Sequence, residues 1–176
     1  MSGKSQASFF GDFDFDQFWE HSEYATKEYV GAAVTDHLVK QVETRLGYTL
    51  PKSYVEFMKV QNGGIPKRTK HRIKLSEDYI TITGIYSIGH EKPCSLCGEF
   101  GSQFWVEEWG YPPIGIYFAD CPSAGHDMLC LDYRKSGPDG EPSVIHIDQE
   151  SDYKITLVAE NFEQFIRGLE DETAFL

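Results

Sequence analysis

The sequence has no apolar run close to the roughly 20 residues that a bilayer-crossing helix needs, so no α-helical span is expected. Its first residues are polar, and Phe9 and Phe10 are followed at once by Asp12, Asp14 and Asp16. That start lacks the basic leader and continuous apolar stretch of a secretory signal, which points to a cytoplasmic protein. Cys94, Cys97, Cys121 and Cys130 are then expected to be reduced thiols. No Gly-rich loop of the kind that cradles nucleotide phosphates is present, and Ser123 lacks the glycine-flanked elbow of a hydrolase nucleophile. Positive charge is short as well: 16 Lys and Arg against 28 Asp and Glu give a net charge of −12. So acidic a chain repels phosphate backbones and favours basic partners.

What the sequence does have is packing material. A chain of 176 residues is the size of one domain, and 40% of it is hydrophobic and 14% aromatic, too much for a disordered segment. The charge is unevenly spread. Residues 40–74 carry nine basic side chains against only Glu43 and Glu56. Residues 99–132 carry Glu99, Glu107, Glu108, Asp120, Asp127 and Asp132 with no Lys or Arg, and residues 139–176 carry ten acids against Lys154 and Arg167. An acidic surface either speeds encounter with a basic partner or simply keeps the protein in solution.

The hydrophobic pattern changes period along the chain. Residues 14–30 place Phe15, Phe18, Trp19 and Tyr24 at roughly helical spacing. A helix after Thr35 follows, with Leu38, Val42 and Leu46 repeating every four residues and Gly47 at its C-terminal end. Pro51 opens a further helix with Tyr54, Phe57 and Met58 on one face, stopped by Asn62, Gly63 and Gly64. From residue 79 the period becomes two. Strands are expected over 79–85, 114–118, 128–133, 144–147 and 153–158, with a turn at 136–140. Asn161 then caps a closing helix that buries Phe162, Phe165, Ile166 and Leu169. The expected class is α+β, a mostly antiparallel sheet of about five to six strands flanked by N-terminal helices and a C-terminal helix.

Four constellations could carry chemistry. Cys94 and Cys97, two residues apart with His90 nearby, have zinc-knuckle spacing, but no second pair completes them and ordinary thiols are expected. His126 and Asp127, with Asp120 and Asp132, could be imagined as a metal-dependent hydrolase site. They fall on a strand-to-strand turn, where Asp127 more simply serves the backbone. Lys67, Arg68, Lys70, His71, Arg72 and Lys74 resemble a phosphate-binding run, yet the acidic chain argues for a solvated loop or a contact with the chain's own acidic half instead. Trp105 and Trp109 sit four apart among Glu107 and Glu108, which fits either a buried helical stripe or an aromatic anchor with a charged rim.

Three segments in order resemble a known family: Leu46, Gly47, Leu50 and Pro51 with Tyr54, Phe57 and Asn62 to Gly64; Gly125, His126 and Asp127 with Cys130, Leu131 and Asp132; and the closing Phe162, Glu163, Gln164 and Phe165. Together they are similar to the SUKH superfamily, which holds fungal Smi/Knr-type regulators of cell-wall glucan synthesis and bacterial toxin-immunity proteins. The resemblance covers about residues 35–170 of a single domain spanning 1–176, with 1–34 as an N-terminal helical extension. His126 stands where the family more often has glycine, and residues 93–111 form a long insertion. The resemblance implies a six-stranded or similar sheet with helices at one side, no catalytic residues and a protein partner; the residues themselves offer no complete site for a metal or other cofactor, so none is expected. For a bacterial, immunity-type member that partner is typically a secreted toxin, often a nuclease; the acidic composition and the lack of a long apolar run argue against nucleic acid and membrane as partners. Glu107, Glu108, Asp120, His126 and Asp127 are then the candidate polar contacts and Trp109 the candidate anchor. A scaffold for cell-wall synthesis is the alternative, and the hydrolase around His126 and Asp127 the less favoured one.

Overall fold

The computed structural model describes residues 8–73 and 76–175. Helix α1 spans Glu23–Glu28, α2 Asp36–Leu46 and α3 Lys52–Val60. The Thr35 hydroxyl accepts the Leu38 N–H at the start of α2, and Gly47 ends it in the left-handed conformation with φ 82°. In α3 the buried face is Ser53, Tyr54, Phe57 and Met58.

The aromatic spacing of residues 14–30 does not make one helix. A single 3-10 turn at Phe15–Gln17 and the six-residue α1 are separated by extended chain. The reason is Phe57, around which Phe10, Phe13, Phe15, Phe18 and Trp19 pack within 5.7 Å, mostly edge-on. A ring cluster around one side chain needs the chain to wrap, and a straight helix would carry half of those rings away. Glu56 locks the wrap by accepting from Ser8 Oγ at 2.6 Å and from the N–H groups of Phe9 and Phe10 at 3.1 and 2.9 Å.

Strands β1 Lys70–Arg72, β2 Tyr79–Thr81 and β3 Gly84–Ile85 come next, followed by α4 Ser102–Trp109. Then β4 Gly115–Asp120, β5 Asp127–Asp132, β6 Ser143–Asp148 and β7 Lys154–Ala159 run as a meander into α5 Phe162–Gly168 and β8 Leu169–Glu170. All pairings are antiparallel, in a five-stranded sheet ordered β3-β4-β5-β6-β7 and a three-stranded one ordered β2-β1-β8. The expected strand over 79–85 is therefore two strands. Between Ile82 and Gly84 the chain leaves the small sheet for the large one, with Thr83 donating its N–H to the Asp120 carbonyl at 2.7 Å.

The basic run is irregular at Lys67 and Arg68 but strand further on, and Arg72 meets Glu170 of the acidic C-terminal stretch at 2.8 Å. Lys70–Arg72 is the central strand of the small sheet, and Lys74 lies outside the described residues. Its alternation turns His71 into the core, stacked on Phe165 at 5.4 Å and 6°, while Lys70 and Arg72 face outward to Tyr79 and Glu170. Tyr54, Phe118, Phe162 and Phe165 join α3, α5 and the large sheet in one core.

Candidate functional site

Helix α4 stands beside the end of the large sheet where the β4–β5 and β6–β7 connections turn. Trp105 is buried at 7% exposure and donates its indole N–H to the Phe100 carbonyl at 2.9 Å. Trp109, one turn on, is half-buried and packs at 5.4 Å against both Trp105 and His126. Gly125 makes this contact possible. Its φ of +99° suits glycine, and an added Cβ would sit 2.7 Å from the Trp105 ring and 3.0 Å from that of Trp109. Tyr111 holds the same turn by donating to the Gly125 carbonyl at 2.6 Å.

The second turn closes on the first. The Gln149 N–H donates to the His126 carbonyl at 2.9 Å, and the exposed His126 ring lies 3.1 Å from Gln149 Oε1 and 3.3 Å from Glu150 Oε1. Tyr153 donates its hydroxyl to the Trp109 carbonyl at 2.5 Å. Asp152 and Tyr153 both take positive φ, 56° and 59°, to bring that hydroxyl back under the helix. The result is one platform from three segments: Trp109, His126 and Tyr153, with exposed Glu108, Glu150 and Asp152 on the same segments.

The structure brings only some of the sequence-predicted residues together. Trp109 and His126 touch, and Glu108 precedes Trp109 as an exposed neighbour. Glu107, also exposed, lines a groove on α4 with Leu46, Tyr48, Val106 and Pro113. Asp120 is turned inward: Tyr29 donates to both its oxygens at 2.8 Å and the Gly84 N–H reaches it at 3.1 Å. Burial pushes its carboxyl up to about 6, against the lowering effect of those bonds.

Asp127 is a hub. It accepts from Ser123 Oγ, its own N–H bonds back to that hydroxyl at 3.0 Å, and His146 Nε2 lies 2.7 Å from its other oxygen. The Cys121 sulfur lies within 4.8 Å of the same carboxylate. Burial raises the Asp127 carboxyl, but the bonds from His146 and Ser123 outweigh it and hold the group below its ordinary range. The histidine that meets Asp127 is thus His146, not its neighbour His126. His146 drew no attention in the sequence, because the pairing depends on the register that sets Leu129 opposite His146. The alternation of β6 was the only signal for it, and alternation marks a face without naming a partner.

Cys94 and Cys97 are buried within the turn that precedes α4, and His90 is exposed. Burial pushes the Cys94 thiol up to about 12. Among the described residues, the one group of three His, Cys, Asp or Glu ligand atoms lying within 4.8 Å of one another is Cys121, Asp127 and His146. His90, Cys94 and Cys97 do not converge.

An all-antiparallel sheet carrying a helical front and a closing helix, with its turns gathered at one end, defines an α+β domain of the SUKH kind. The model of the SMI1/KNR4 family (SUKH-1) matches residues 33–168, and the chain belongs to that family. No curated protein matches it. Among the described residues no helix is long and apolar enough to cross a membrane.

Proposed function

We propose that the chain is a non-catalytic protein-binding module of the immunity type, acting in the cytoplasm by direct docking on a basic toxin domain. The observation that carries this reading is the platform of Trp109, His126 and Tyr153 with Glu108, Glu150 and Asp152 beside it. A half-buried indole fixed in place presents a large apolar area at little entropic cost, the character of a binding hot spot. Carboxylates around it steer a basic partner and penalise an acidic one. The platform is also pre-ordered by main-chain bonds, which lowers the cost of ordering loops on binding. Membership of the SUKH family supports a partner-binding role. Asp120 and Asp127, whose carboxylates serve internal bonds, are support and not contact in this reading.

The test is co-expression with a toxin domain encoded beside this chain's gene. The wild-type chain should co-purify with it and restore growth, and Trp109→Ala should bind about 30-fold more weakly and protect less while keeping its thermal midpoint near that of the wild type. A stable wild-type chain that neither binds nor protects refutes the immunity role.

A further inference from the structure

We propose that Cys121, Asp127 and His146 form a binding site for a zinc-type divalent metal ion. A thiolate, an imidazole and a carboxylate make a donor set that suits zinc among common divalent ions, and three protein ligands leave a fourth position open. The three come from three neighbouring strands: Cys121 directly follows β4, Asp127 opens β5 and His146 lies within β6. Their ligand atoms already lie within 4.8 Å of one another. A tetrahedral ion with bonds of roughly 2.0–2.3 Å needs its donors about 3.5 Å apart, so small side-chain rotations suffice.

The surroundings are those of a built site. Ser123 occupies one Asp127 oxygen and leaves the other facing His146, as a supporting bond orients a ligating carboxylate. Cys121 is 4% exposed, whereas the side chains of His146 and Asp127 keep 14% and 25% of their exposure. An ion therefore enters past the imidazole and carboxylate, and its fourth position faces solvent. Binding converts the Cys121 thiol to thiolate with loss of its proton to water. A neutral imidazole exchanges its Nε2 proton for one on Nδ1, so that Nε2 offers a lone pair. The balance is one proton released per ion bound. The Asp127–His146 bond then gives way to coordination while Ser123 stays on the other carboxylate oxygen, and the ion ties β4, β5 and β6 together.

The experiment titrates the purified full chain, cleared of metal by chelation, with Co²⁺ and then Zn²⁺. Wild type should show a thiolate-to-cobalt charge-transfer band that saturates at one equivalent and is displaced by Zn²⁺. Cys121→Ser should lose the band, while Cys97→Ser, away from the cluster, should keep it. His146→Asn should weaken Zn²⁺ binding by at least about tenfold, since even loss of a supporting partner costs that much. This last variant stands in if Cys121→Ser does not fold. Absence of the band in wild type, its persistence in Cys121→Ser, or unchanged Zn²⁺ affinity in His146→Asn each overturns the site.

Discussion

The hydroxyl of Tyr153 donates to the carbonyl of Trp109 at 2.5 Å, tying the β6–β7 turn to the last residue of α4 across 44 positions of sequence. The carbonyl belongs to a helix end, where the last C=O groups have no partner within the helix. Tyr153→Phe removes that donor and leaves the ring in place against Tyr111. The expected cost is about 1 kcal/mol of stability, read as a lower denaturation midpoint at unchanged slope. Under the proposed function, partner dissociation should also quicken. An unchanged midpoint would mean that water replaces the phenol without loss.

Trp105 and Trp109 should separate cleanly. Trp105 is core, so Trp105→Ala should cost about 3–5 kcal/mol and destabilise the whole domain. Trp109→Ala removes a half-exposed ring and should cost much less stability, but about 2 kcal/mol of partner binding. Chemical denaturation of both variants, beside binding of Trp109→Ala, checks the pair. If Trp109→Ala is as unstable as Trp105→Ala, the ring is part of the core and cannot be an anchor.

Burial holds the His71 imidazole below its ordinary pKa, and its Nδ1 lies 2.8 Å from the Arg72 carbonyl. Below about pH 6.5 the unfolded chain binds a proton at this position that the folded chain resists. Stability from this group is therefore full above about pH 6.5 and falls as the pH drops through that range. Asp120 acts in the opposite sense, because a carboxyl raised to about 6 gains folded-state stability as it protonates. The comparison must thus be made within one position. His71→Asn keeps an amide donor for the Arg72 carbonyl but does not titrate. Between about pH 7.5 and 5.5 the wild type should lose more stability than His71→Asn. Parallel curves would show that His71 is not buried as a neutral ring.

Much of this was legible in the sequence where the signal is local. Thr35 and Gly47 bracket α2, Asn161 accepts the Gln164 N–H to start α5, and apolar runs set between turn formers mark β4 to β7 in order. Signals failed where the partner is distant. Lys70, His71 and Arg72 read as charge because two of three face outward, and only pairing with β2 and β8 reveals a strand. Phe15, Phe18 and Trp19 mimic helical spacing while wrapping Phe57, a residue some forty positions away. At the site, Trp109 and His126 were visible as types that favour interfaces. The inward turn of Asp120 toward Tyr29, and of Asp127 toward His146, depends on tertiary pairing that no short motif encodes.

The final prediction separates steering acids from acids that merely keep the protein in solution. Opposite charge accelerates encounter, and the effect shrinks as ions screen fields beyond a Debye length of about 8 Å at physiological salt. Association with a basic toxin domain should therefore slow as salt rises. Charge reversal belongs at Glu108, Glu150 and Asp152, which are exposed on the platform segments. Asp127 is the wrong residue to reverse, because a lysine there would face His146 and lose the bond from Ser123. The triple Lys variant should lower the association rate about tenfold or more at low salt and leave dissociation nearly unchanged, since rim charges act chiefly on encounter. The same variant should fold normally, as exposed charges contribute little to stability. Stopped-flow association across a salt series provides the measurement, with reversal of the exposed Asp14, Asp16 and Glu20 as a control of equal charge change on another segment. Equal slowing by both sets would reflect net charge alone and not a directed face. An association rate indifferent to salt and to the platform reversals would leave these acids as solvated surface.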